Sequence, residues 1–104
     1  MKTLDIRVTQ ADDRATVVIN GELDEAATEP LKDIDLDHLS RSGCQDLAID
    51  LGGVEFIDSS GIGALVGLRN RAAREGLSIR IDQAPLHVRR TLTVAGLDGL
   101  LGLT

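Results

Sequence analysis

Asp58, Ser59 and Ser60 stand together where the apolar run of residues 54–57 ends and a helical pattern begins. A hydroxyl at such a junction has three chemistries open to it. It can cap the helix by accepting a first-turn N–H, or attack as a nucleophile beside a base. It can also carry a phosphate, since helix N-termini stabilise anions through free N–H groups and the helix dipole. The nucleophile lacks its companions: the serines are not in a G-x-S-x-G context, and His87, in "APLHVRR", has no carboxylate beside it in sequence. "GIGALVG" leaves three residues in its last gap where the dinucleotide fingerprint has two, and no Walker lysine follows. Cysteine and histidine spacings match no zinc site, so no catalytic residue, metal or cofactor is expected. One cap is needed and all of Asp58, Ser59 and Ser60 qualify, so cap and phosphate acceptor both remain open on local physics.

The glycines after the serines pose a second question. Glycine weakens a helix interior by about 1 kcal/mol relative to alanine, yet Gly61, Gly63 and Gly67 all fall in the opening turns. At 100° per residue, Gly61 shares a narrow arc with Leu65, Leu68 and Ala72, which makes the core face. Gly63 and Gly67 fall opposite, with Asn70 and Arg74. Close packing explains Gly61 and does not explain the other two, whose joint cost of about 2 kcal/mol is a sizeable share of a small domain's stability. Ile62, Val66 and Ala73 flank the stripe as an apolar margin. A smooth docking face is the functional reading, and drift at tolerated positions is the plain one.

The elements that must hold this junction follow from periodicity. Leu4, Ile6 and Val8 alternate with polar residues as in a half-buried strand. "QADDR" is a turn and "ATVVIN" a second strand, so an antiparallel hairpin opens the chain. Asp24 or Thr28 then caps a helix that carries Ala27, Leu31, Ile34 and His38 along one face, with His38 at its edge. "RSGC" ends that helix, "DLAIDL" is a short buried strand, and "GGVEF" reads as a loop. The helix after Asp58 ends at Gly76, "LSIRID" is a strand, and the segment 83–96 is a helix with Pro85 near its start and Gly96 at its end. "LDGLLGLT" is expected to close the chain with a short edge strand. Strands alternating with helices after a hairpin imply an α/β fold with a mixed sheet.

At 104 residues the chain has the length of one domain, 1–104. Hydrophobic residues make up 42%, enough for a core, which must be built from aliphatic side chains because Phe56 is the only aromatic. Eleven basic against seventeen acidic residues give a net charge of -6, which argues against a nucleic-acid partner and suits partners with basic surfaces. No apolar run reaches membrane-span length and the N-terminus lacks a signal-peptide core, so a cytoplasmic protein is expected, without membrane contact. Cys44 reads as a neutral residue between helix and strand, with redox sensing the alternative.

"VEFIDSSGIGAL" resembles the signature of the STAS domain, as found in bacterial anti-sigma factor antagonists. "INGELDEAATEPLKD" is similar to the family's Gly-Glu-Leu-Asp segment, and "TVAGLDGL" to its later helix-Gly-Leu ending. The resemblance implies a small single α/β domain: four to five strands in a mixed sheet, helices mainly on one side. It also implies partner switching. The unphosphorylated antagonist binds an anti-sigma factor that is a serine kinase and so frees the sigma factor; phosphorylation ends the complex and a serine phosphatase resets it. On this chain the resemblance makes Ser59 the phosphoacceptor, leaving Ser60 as the supporting cap, and brings Asp24 near it. The expected contact surface is Asp24, Asp58, Ser59, Ser60, Gly61, Ile62, Gly63, Val66 and Gly67. The alternatives are a STAS accessory module of a membrane transport system or signalling scaffold, and a purine-nucleotide binder, for which there is no phosphate loop. Two departures from the family stand near the end of the chain: it stops soon after "GLDGLLGLT", where relatives continue through a helix, and Leu100 replaces a frequent aromatic.

Overall fold

The structure, a computed structural model, describes residues 4–99 and 102. Strand β1 (Asp5–Ala11) pairs antiparallel with β2 (Arg14–Leu23), Val8 opposite Val17, across a turn of two residues, Asp12 and Asp13, shorter than the expected "QADDR" because Gln10, Ala11 and Arg14 join the ladder. Asp12 adopts φ 58° there, the left-handed conformation that tight hairpin turns demand and that aspartate tolerates better than most residues. Strands β3 (Asp46–Ile57) and β4 (Ser78–Gln83) add in parallel, in the order β1-β2-β3-β4. Right-handed crossovers that step the same way across a sheet leave their helices on the same face.

Burial follows that rule. Ala15, Val17, Ile19, Leu47, Ile49 and Leu51 are fully buried, whereas Thr16, Val18 and Asn20 on the other face of β2 are half-buried. The mixed sheet with an opening hairpin and a helix-covered face is therefore the expected one. Among the described residues it has four strands. Asp98, Gly99 and Gly102 lie in turns. Leu100, Leu101, Leu103 and Thr104, on which most of the expected edge strand and the aromatic position fall, lie outside the described residues.

Residues 52–56 are strand and not loop. β3 runs through Gly52 and Gly53 with a bulge, advancing from Asp50 to Gly53 while β2 advances from Val18 to Asn20. Glycine at 53 leaves room for the Asn20 amide group, which a Cβ there would push aside. A second register shift follows between Gly21 and Glu22. Such shifts break the inward–outward alternation, so Val54 and Ile57 are both buried although three residues apart. That spacing hides a strand from a search for period two.

The expected first helix is broken in two. A 3-10 turn (Glu25–Ala27) leads into α1 (Thr28–Lys32), and α2 (Leu36–Arg41) starts afresh. Ala27, Leu31 and Ile34 are buried as expected. The break comes at Asp35, whose Oδ1 accepts the His38 N–H at 3.0 Å and caps α2, a local bond that competes with helix continuation. The restart turns Leu36 and Leu39 inward and leaves His38 exposed.

Helices α3 (Ser59–Arg74) and α4 (Leu86–Val94) end as expected before Gly76 and Gly96, both at φ 76°. Pro85 precedes α4, and His87 Nε2 donates to the Glu55 carbonyl at 3.0 Å, tying α4 to β3. Cys44 is buried between α2 and β3 with a free thiol. No helix among the described residues is long and apolar enough to cross a membrane.

Candidate functional site

Parallel strands β2 and β3 end side by side, Leu23 opposite Ile57. The next residue on each is an aspartate in extended conformation that turns the chain into a helix. Asp24 Oδ1 accepts the Ala26 N–H at 2.9 Å, and Asp58 Oδ1 accepts the Gly61 N–H at 3.1 Å. The cap of α3 is thus Asp58, which corrects the assignment of that role to Ser60. The reason is geometric: a cap needs non-helical backbone, which Asp58 has at φ -123°, while Ser60 is already inside the helix. Asp58→Ala is expected to lower unfolding free energy by about 1 kcal/mol, with Asp58→Ser recovering most of it. An unchanged urea midpoint in the alanine variant would remove the cap from the account.

With the cap supplied, both serine side chains are exposed in the first turn, and neither hydroxyl bonds to another described residue. His87 is held on the Glu55 carbonyl, so it orients no serine. Among the described residues no three His, Cys, Asp or Glu side chains gather as a metal site requires. The arrangement presents two exposed hydroxyls in the first turn of a helix.

Gly61 brings α3 onto the sheet. The Leu23 carbonyl accepts the Asp58 N–H at 3.2 Å. A Cβ on Gly61 would overlap that carbonyl oxygen and stand 2.6 Å from its carbon and 2.9 Å from the Leu23 Cβ. Leu65, Leu68 and Ala72 continue this buried face. Gly63 and Gly67 are exposed, and a Cβ on either would meet nothing within 4 Å. Ile62 and Val66 are half-buried beside them, while Ala73, the outermost of the margin, is exposed.

The two outward glycines and Ser60 form one wall of a groove of about 440 Å³. Thr28 and Lys32 of α1 form the other, and Arg71 and Arg74 stand at its far end. None of these four was expected in the site, although Thr28 was a candidate cap and Arg74 stood on the face of the two glycines. Arg74 shares a helical face with Gly63 and Gly67, a signal present but unused, whereas Thr28 and Lys32 arrive only through the fold. Arg71 joins the walls: its guanidinium donates to the Leu31 carbonyl at 2.6 Å and to that of Lys32 at 3.2 Å, satisfying carbonyls at the end of α1.

The family model described as "Mlab, STAS domain" matches residues 6–102. The anti-sigma-B factor antagonist of Staphylococcus epidermidis is 26% identical over 98 residues, covering 94% of this chain and 90% of that protein. Among solved structures, an anti-sigma factor antagonist from Mycobacterium paratuberculosis shares the fold with a TM-score of 0.77 at 23% identity, over 95% of this chain and 83% of that one. The Bacillus cell fate determinant SpoIIAA in its phosphorylated form does so with a TM-score of 0.64 at 19% identity, over 91% and 86%. The Asp-Ser-Ser-Gly junction, the hairpin-led mixed sheet and a family match across nearly all of the chain converge, and the protein belongs to the STAS domain family.

Proposed function

We propose that this protein is an anti-sigma factor antagonist, a cytoplasmic regulator that acts by binding and catalyses nothing. Its unphosphorylated form binds an anti-sigma factor that is itself a serine kinase and so frees the sigma factor. Phosphorylation of Ser59 ends that complex, and a serine phosphatase restores it. The observation that carries the reading is the exposed Ser59 in the first turn of α3, with the capping role taken by Asp58. The Staphylococcus relative bears the antagonist's name, and a protein of the same fold is known in a phosphorylated form. Both support the reading.

The proposed contact surface joins Asp24, Asp58, Ser59 and Ser60 at the strand ends to Ile62, Gly63, Val66 and Gly67 along α3. Gly61, expected in that surface, is buried against Leu23 and supports it from beneath. Incubation with ATP and the cognate anti-sigma factor, followed by phosphopeptide mapping, tests the core of the proposal. Phosphate is expected on Ser59 and absent from a Ser59→Ala chain; incorporation at Ser60 alone, or none, would sink it.

The helix surface has its own test. Gly63→Arg and Gly67→Arg add bulk where no intramolecular atom stands within 4 Å. Each is expected to abolish partner binding while thermal unfolding stays within a few degrees of the parent. A collapse of the fold would show that these glycines are structural.

A further inference from the structure

We propose that the groove between α1 and α3 receives a helix of the partner that bears acidic side chains where it meets Lys32 and Arg74. This rests on the protein being a docking protein, and adds the chemistry of the element it grips. Shape supplies the first argument. Ser60, Gly63 and Gly67, spaced three and four apart, make the α3 wall of the groove from backbone and small groups. From Ser60 to Arg74 that wall spans about 21 Å at 1.5 Å per residue, the length of a four-turn helix.

Charge supplies the second. The chain carries -6 overall, yet the groove's lining contains no carboxylate and includes Lys32, Arg71 and Arg74. The cations in the last turns of α1 and α3 suit their own dipoles, and the fold brings Lys32 and Arg74 to the same groove. Arg71 is committed to the α1 carbonyls. Lys32 has only an exposed pair with Glu29 at 3.8 Å, and Arg74 makes no ion pair or hydrogen bond with the described residues. Arg74, and Lys32 on giving up that long exposed pair, can therefore meet an incoming carboxylate. Asp33, Asp35 and Asp37 line the next depression, on the far side of the same cations. An acidic helix is attracted into the groove and repelled beyond its end, which sets its register.

The probe is a 16-residue helical peptide with an alanine seam and two glutamates at one end, compared with its glutamine twin by ¹⁵N amide shifts in low salt. The glutamate peptide is expected to shift Gly63, Gly67, Asn70 and Arg74 and to bind at least fivefold tighter than the twin. Lys32→Ala with Arg74→Ala should erase that preference, and Gly67→Arg should abolish both titrations. Equal affinity of the twins, shifts centred elsewhere, or no binding by either peptide overturns the proposal. Such a failure beside an intact Ser59 switch leaves the antagonist reading standing. Peptide selectivity without any Ser59 effect does the reverse.

Discussion

Ser59→Asp is expected to weaken binding of the anti-sigma factor kinase at least about thirtyfold, while Ser59→Ala stays within about threefold of the parent. The asymmetry follows from charge, not size. An unpaired charge at a desolvated interface costs about 2–5 kcal/mol, and about 1.4 kcal/mol is tenfold in affinity. The added carboxylate stands next to Asp58, whose side chain is spent on the cap, and near the parallel Asp24 turn. A phosphate brings about -1.5 to -2 charges and should act more strongly still. Its effect on the fold is expected to be small and of opposite sign. A negative group in the first turn of α3 gains about 0.3–1 kcal/mol from the helix dipole, so thermal stability should hold or rise slightly. Calorimetric titration and thermal melts on the same samples separate the two effects. Equal binding by the alanine and aspartate chains would end the switch, and parallel loss of binding and stability would replace it with unfolding.

Alanine substitutions at the glycines of α3 are expected to change stability with opposite signs. Gly63→Ala and Gly67→Ala gain helix propensity, about 1 kcal/mol each, and their Cβ atoms meet open space. Gly61→Ala gains the same propensity and loses far more. Its methyl would collide with the Leu23 carbonyl oxygen, and since that carbonyl is backbone and a Cβ has no rotamer, no side-chain adjustment relieves the overlap. The helix must back off the sheet, loosening Leu65, Leu68 and Ala72. Overpacking costs about 1–3 kcal/mol and sometimes more; with rigid backbone on both sides the upper end applies. A net loss of about 2–3 kcal/mol corresponds to about 10–20 °C in melting temperature for a domain of this size. A Gly61→Ala melt unchanged or raised would show that the close approach of α3 to β2 is not as described.

Where burial repeated with a regular period, the sequence was legible. Buried alternation marked β2, apolar–polar alternation alone marked β1, whose Val8 is exposed, and the wheel on α3 separated Gly61, Leu65, Leu68 and Ala72 from Gly63 and Gly67. It was illegible where the period broke. The bulges of β3 put Val54 and Ile57 three apart on the buried side, and Asp35 restarted a helix that apolar spacing alone would have continued.

By itself the sequence determined the hairpin, the alternation of strands and helices apart from the break at Asp35, the core face of α3 and the outward direction of two glycines. These depend on side-chain period and on turn residues, which are local properties of the chain. Only the tertiary structure decided that Asp58 caps α3 and leaves both serines exposed. The same holds for the Leu23 carbonyl filling the space above Gly61, and for Lys32 and Thr28 facing Gly63 across a groove. Each of these depends on strand register and on atoms brought from distant segments. Three adjacent residues with equal capping chemistry become distinguishable only when the end of β3 sets which of them keeps an extended backbone.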